Sequence, residues 1–179
     1  MAGLKELVPS PAAGFEQPFE MLQACHERIE RMLDLLARLR THVDANGVDE
    51  QARDAARDVM RYFDLAAPQH HLDEERHVLP ALRASGEAAL IELAGRLEAD
   101  HRRMESGWAC AREVLVALAR EDLTGLSPED HATLAAFGAL YADHIAAEEG
   151  TAFPMAGLRF DEAGVQAMGE DMRARRGAG

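Results

Sequence analysis

Two segments of the chain carry the same pattern of potential metal donors. His70-His71-Leu72-Asp73-Glu74-Glu75 runs on to Pro80, and His144-Ile145-Ala146-Ala147-Glu148-Glu149 runs on to Pro154. Both read H-x-x-x-E-E-x-x-x-x-P. On a helix, residues four apart stand one above the other on the same face. Each copy therefore offers an imidazole nitrogen and a carboxylate oxygen to one point in space. Buried without partners, both groups cost free energy. A cation between the two copies would supply those partners.

Two further histidines have the same character. His26 and His101, like His70 and His144, stand where an apolar seam would place leucine. The first seam is Leu22, His26, Ile29, Leu33, Leu36. The second is Val59, Phe63, Ala66, His70, Glu74, His77. The third is Leu90, Ala94, Leu97, His101, Met104, Trp108, Ala111, Leu115, Leu118, and the fourth is Leu134, Phe137, Tyr141, His144, Glu148. Steps of three and four are those of a helix burying one face. The inventory is four imidazoles and two carboxylates, with no thiolate. Such a donor set suits iron or manganese, with zinc also open. It is large enough to hold a pair of ions with the glutamates bridging, and bundle cores are where such sites are built.

Other residues near the seams have blander readings. Glu105 lies about 40° from His101 around its helix; it is a ligand, an acceptor for an imidazole N–H, or a solvated acid. His71 lies about 100° from the seam and reads as a neighbour. If Pro68 overwinds the helix, His71 and Glu75 would replace His70 and Glu74, but aligning the two copies from their prolines favours His70 and Glu74. Glu75 and Glu149 read as surface charge. His77 reads as packing at the bundle end, Trp108 and Tyr141 as core, His42 and His131 as surface.

Four helices must carry these donors. The first is expected from Pro18 to about Val43, with Asn46-Gly47 ending it. The second starts near Asp49 and ends around Arg83, with a kink or break at Pro68. The third carries the longest seam. The fourth starts at the Ser127-Pro128-Glu129-Asp130 cap and ends between Gly150 and Pro154. The expected fold is all-α, an up-down-up-down four-helix bundle over 18–160. Residues 1–17 form an irregular lead-in. Residues 161–179 hold a short C-terminal helix and a frayed Arg- and Gly-rich end.

Bulk properties narrow the function. Nineteen basic residues stand against 32 acidic ones, a net charge of −13. No basic field exists to attract nucleic acid or an anionic membrane. No apolar run reaches the length of a membrane span. Cys25 and Cys110 form no metal or disulfide framework. A cytoplasmic protein is expected, and no feature identifies a protein partner.

The order His26, His70-x3-Glu74, His101, His144-x3-Glu148, with the two E-E-x-x-x-x-P endings, resembles the hemerythrin-like (HHE cation-binding) domain over about residues 18–156. The resemblance implies two non-haem iron ions with bridging glutamates and an oxo or hydroxo bridge. It implies binding or sensing of a small diatomic ligand (dioxygen or nitric oxide) or of peroxide. Peroxide detoxification, iron oxidation and iron-centre repair are the enzymatic or repair alternatives. Oxygen-carrying invertebrate hemerythrins place two histidines one turn apart on the third helix; here Glu105 stands one turn after His101. The set is also similar to the hemerythrin-like domain of iron-centre repair proteins. Those proteins usually add an N-terminal cysteine-bearing segment, and residues 1–17 hold no cysteine.

Overall fold

The computed structural model describes residues 14–120 and 122–177 and is all-helical, with no strand among the described residues. Most of the expected lead-in, residues 1–13, lies outside them. Among the described residues eight α-helices follow one another: α1 (Pro18–Asn46), α2 (Glu50–Asp73), α3 (Leu79–Arg83), α4 (Ala88–Ala119), α5 (Pro128–Gly138), α6 (Ala142–Ala147), α7 (Phe153–Gly157) and α8 (Glu162–Arg175). A π-helical turn, Glu74–Val78, joins α2 to α3, and another, Glu148–Ala152, joins α6 to α7. These pieces stack into four long rods. Each rod packs on the next, and α5 returns to α1, which makes an up-down-up-down bundle.

Local chemistry sets the rod ends. α1 opens with Pro18, which loses no helical hydrogen bond there. It stops at Gly47, whose φ of 75° suits glycine, and the Gly47 amide caps the Val43 carbonyl at 2.8 Å. Asp49 caps α2 by accepting the Ala52 amide at 2.9 Å. Ser127 and Asp130 cap α5 reciprocally.

The second rod is not broken at Pro68. α2 runs through that residue, which is exposed, so solvent can serve the carbonyl the proline frees. The irregularity comes later, at the π-turn. The fourth rod is also less regular than expected. It pauses over residues 139–141 and resumes to Gly157. Gly138 weakens the helix at that point. Gly107 on α4 lets the rods approach there: a Cβ at Gly107 would lie 3.0 Å from Leu140.

The core is divided. One apolar group holds Ile29, Leu36, Phe63, Leu115 and Phe137. Another holds Leu22, Leu79, Leu97, Phe153, Met168 and Met172. The helix α8 closes this second group with its two methionines. Near its end, Arg175 and Arg176 bond the fully buried Asp73 carboxylate, the latter at 2.6 Å. A buried carboxylate needs such partners. Between the two apolar groups lies the layer of histidines and glutamates.

Candidate metal centre

His26, His70, His101 and His144 converge from the four rods, and all are at most 4% exposed. Glu74 and Glu148 meet them and are fully buried. The structure thus brings together all six residues picked out by the seams. Their donor atoms form two sets of four, each set within 4.8 Å. One set is His26, His70, Glu74 and Glu148; the other is Glu74, His101, His144 and Glu148.

The carboxylates are divided between the sets. Glu74 Oε1 lies 3.1 Å from His70 Nε2 and 3.8 Å from His26 Nε2, while its Oε2 lies 3.3 Å from His101 Nε2. Glu148 Oε2 lies 3.1 Å from His26 Nε2, and its Oε1 lies 3.1 Å from His144 Nε2. Each glutamate therefore gives one oxygen to each histidine pair. Both oxygens of both glutamates, and Nε2 of His26, His101 and His144, are buried without a well-formed hydrogen bond. Each such orphan costs about 1–3 kcal/mol. A cation in each set would satisfy them, so the residues fit a pair of metal ions.

Without metal, protons would carry part of the compensation. Burial opposes charge on His26, but the facing Glu148 and Glu74 carboxylates outweigh it and push its pKa up to about 10. His101 behaves alike: burial works against its charge, and Glu148, Glu74 and Glu75 push it up to about 10. Burial likewise works against the Glu148 carboxylate, yet His101, His144 and His26 hold it well below the usual carboxylate range. His70 goes the other way: burial, then the neighbouring His26, lowers it well below the usual imidazole value.

The second glutamate of each pair has a role that the seams do not reveal. Glu75 Oε1 lies 2.9 Å from His101 Nδ1, and Glu149 Oε1 lies 2.9 Å from His26 Nδ1. They are not free surface charge: each holds an imidazole on a different rod. Carboxylates in this position fix a ring's tautomer and make its other nitrogen a better donor.

The π-turns make this crossing possible. The Leu79 amide bonds the Glu74 carbonyl and the Phe153 amide bonds the Glu148 carbonyl, each five residues back. Pro80 and Pro154 follow directly. A proline lacks an amide hydrogen and crowds the carbonyl four residues back, and widening the turn moves that carbonyl away from the ring. Successive residues in a wider turn are separated by a smaller rotation. One glutamate can then enter the site while the next reaches a neighbouring rod. The doubled E-E with its trailing proline was the signal for this arrangement.

A match over residues 17–156 to the model of the hemerythrin HHE cation binding domain settles the relationship. The chain belongs to this family. It is also 29% identical over 173 residues to an uncharacterized protein of Haemophilus influenzae, covering 95% of this chain and 96% of that one. The family binds metal cations, in keeping with the two donor sets in this member. No helix among the described residues is long and apolar enough to cross a membrane.

The remaining candidates fall outside the donor sets of this HHE domain. Glu105 is exposed on the wall of a cavity of about 290 Å³ that reaches His101. His71 lines the same cavity and stacks flat on His101, with ring centroids 4.2 Å apart. Burial and the neighbouring His101 lower its pKa to about 3. His77 bonds Asp171 of α8 at 2.8 Å, so it ties the first π-turn to the tail. His42 and His131 pair with Asp49 and Asp44, away from the centre. Tyr141 is buried, and Trp108 is half-buried with its indole N–H given to Asp64 at 3.0 Å. Cys25 is buried and free, and burial pushes its thiol up to about 11; Cys110 is exposed.

Proposed function

We propose that this HHE domain holds two non-haem iron ions and binds or senses dioxygen, nitric oxide or peroxide with them. One observation carries the reading: Glu74 and Glu148 each divide their oxygens between the His26–His70 pair and the His101–His144 pair. His26, His70, His101, His144, Glu74 and Glu148 are then the six ligands. All are nitrogen or oxygen donors, the chemistry that suits iron. Bound iron would supply a Lewis acid and a one-electron redox centre.

The chain's own residues do the rest. Glu75 and Glu149 orient His101 and His26 and raise their basicity. The two apolar groups on either side keep bulk water out of the layer, which strengthens every charge interaction within it. The cavity at His101 gives a small ligand a way to approach.

The enzymatic alternatives, peroxide or Fe(II) turnover, would draw support from Glu105 as an added carboxylate ligand. Its place on the cavity wall, outside both donor sets, favours the binding reading over them. Metal analysis of iron-loaded protein is the test, combined with visible spectra before and after addition of nitric oxide or peroxide. Two irons per chain and a stable spectral change support the proposal. Steady consumption of peroxide points to the enzyme instead. Protein that takes up no stoichiometric iron overturns the assignment.

A further inference from the structure

The cavity beside His101 is much larger than a diatomic ligand needs. Its volume is about 290 Å³, whereas one water occupies about 30 Å³ of liquid. It stands at the small end of the range for organic-ligand sites, which begins at about 300 Å³. Its lining is chemically specific. Phe63 and Trp108 pack at a tilt with centroids 5.1 Å apart, and Tyr141 stands 5.8 Å from Phe63. Met104 and Leu72 complete the apolar wall.

Two polar groups on this wall have no hydrogen-bond partner among the described residues. Tyr141 is 2% exposed, and its hydroxyl makes no hydrogen bond to a described residue. Burial raises its pKa and keeps it a donor. His71, stacked on His101, also makes no hydrogen bond. The Trp108 N–H is already taken by Asp64. A tyrosine hydroxyl donates, and an imidazole can accept through one ring nitrogen. A ligand hydroxyl both accepts and donates, so it matches the pair. Exposed Glu75, Glu105 and Arg102 at the edge present two acids against one base. That balance disfavours an anion and suits a neutral molecule.

We propose that this cavity binds a neutral one-ring aromatic alcohol, a phenol, with its ring against Phe63 and Trp108 and its hydroxyl between Tyr141 and His71. Aromatic rings pack favourably at these spacings. The site needs no metal ion, so it stands or falls apart from the iron assignment.

Phenol itself is the probe, titrated into the full chain in metal-free and metal-loaded form. Trp108 is the single tryptophan, so its emission reports on this cavity. A saturable one-to-one response is expected in both forms. Benzene should bind about three- to tenfold more weakly, as expected for losing a hydrogen bond. Tyr141→Phe should weaken phenol by a similar factor and leave benzene unchanged. Ala67→Leu, which fills the cavity from its buried wall, should abolish both. The proposal is overturned by any of three results: no saturable response, benzene binding as tightly as phenol, or phenol binding only to metal-loaded protein with a new visible band. The last would make phenol a metal ligand rather than a pocket ligand.

Discussion

The two halves of the histidine–glutamate layer have matching donors and different walls. At one half, His26 lies flat against Phe153 with ring centroids 5.3 Å apart, and that ring belongs to the apolar group closed by α8. At the other, His101 lies flat against His71, which lines an open cavity, and His144 borders a polar notch with Asp100 and Arg103. Each half has one oriented histidine, His26 by Glu149 and His101 by Glu75. Each also has one whose buried Nδ1 makes no hydrogen bond, His70 and His144, the latter with the Asp100 carboxylate 3.7 Å away. On the proposed two-ion reading, the closed first half would hold its ion and the second, beside the cavity, would meet the incoming ligand.

The strongest test of this comparison is to remove what the halves share. Glu148→Ala takes an oxygen from both sets, so metal content measured by elemental analysis should fall from two ions toward none. His144→Ala takes a donor from one set only and should leave about one ion. Equal losses in the two variants would break the comparison.

Next in size are the orienting carboxylates. Glu75→Gln should weaken metal binding at the His101–His144 half by about 10- to 100-fold, and Glu149→Gln should do the same at the His26–His70 half. Competition with a chelator would resolve the two. If Glu75→Gln weakened both ions alike, the halves would not be independent.

A smaller effect concerns protons. His26 and His101 are both raised to about 10 in the metal-free protein. Their contribution to metal-free stability is therefore fully present below the unfolded value of about 6.5. It is lost as pH rises toward about 10. Denaturant titrations of metal-free protein should show stability falling over that window. Metal must displace the same protons. Proton release on loading, followed in weak buffer, should be clear at neutral pH, fall as pH passes about 10 and vanish well above it. Loading without proton release would contradict the assignment of these two rings.

The smallest effect is expected at Glu105. Glu105→Gln should leave metal content and the visible spectrum unchanged, because this residue belongs to neither donor set. A lost ion would make it a ligand after all.

Much of this was legible in the residues. The seams placed one histidine on each of four helices, and the doubled H-x-x-x-E-E motif marked Glu74 and Glu148, because a periodicity of 3.6 ties sequence spacing to a helix face. Pro68 looked like the weak point of the second rod, yet the helix runs through it. Pro80 and Pro154, which look like ordinary helix punctuation, stand just past the π-turns. No spacing in the sequence marks what anchors the tail's Arg175 and Arg176, because Asp73 lies about a hundred residues away.

What the sequence determined by itself is therefore the donor set, since each donor is defined by its own helix and its neighbours in turn. What only the tertiary structure decided is how the carboxylates are shared. The split of the Glu74 and Glu148 oxygens depends on distances between rods. So do the reach of Glu75 to His101, the reach of Glu149 to His26, and the cavity that distinguishes the halves. A local pattern fixes a side chain's face on its helix; the packing of one helix against another fixes what that face meets.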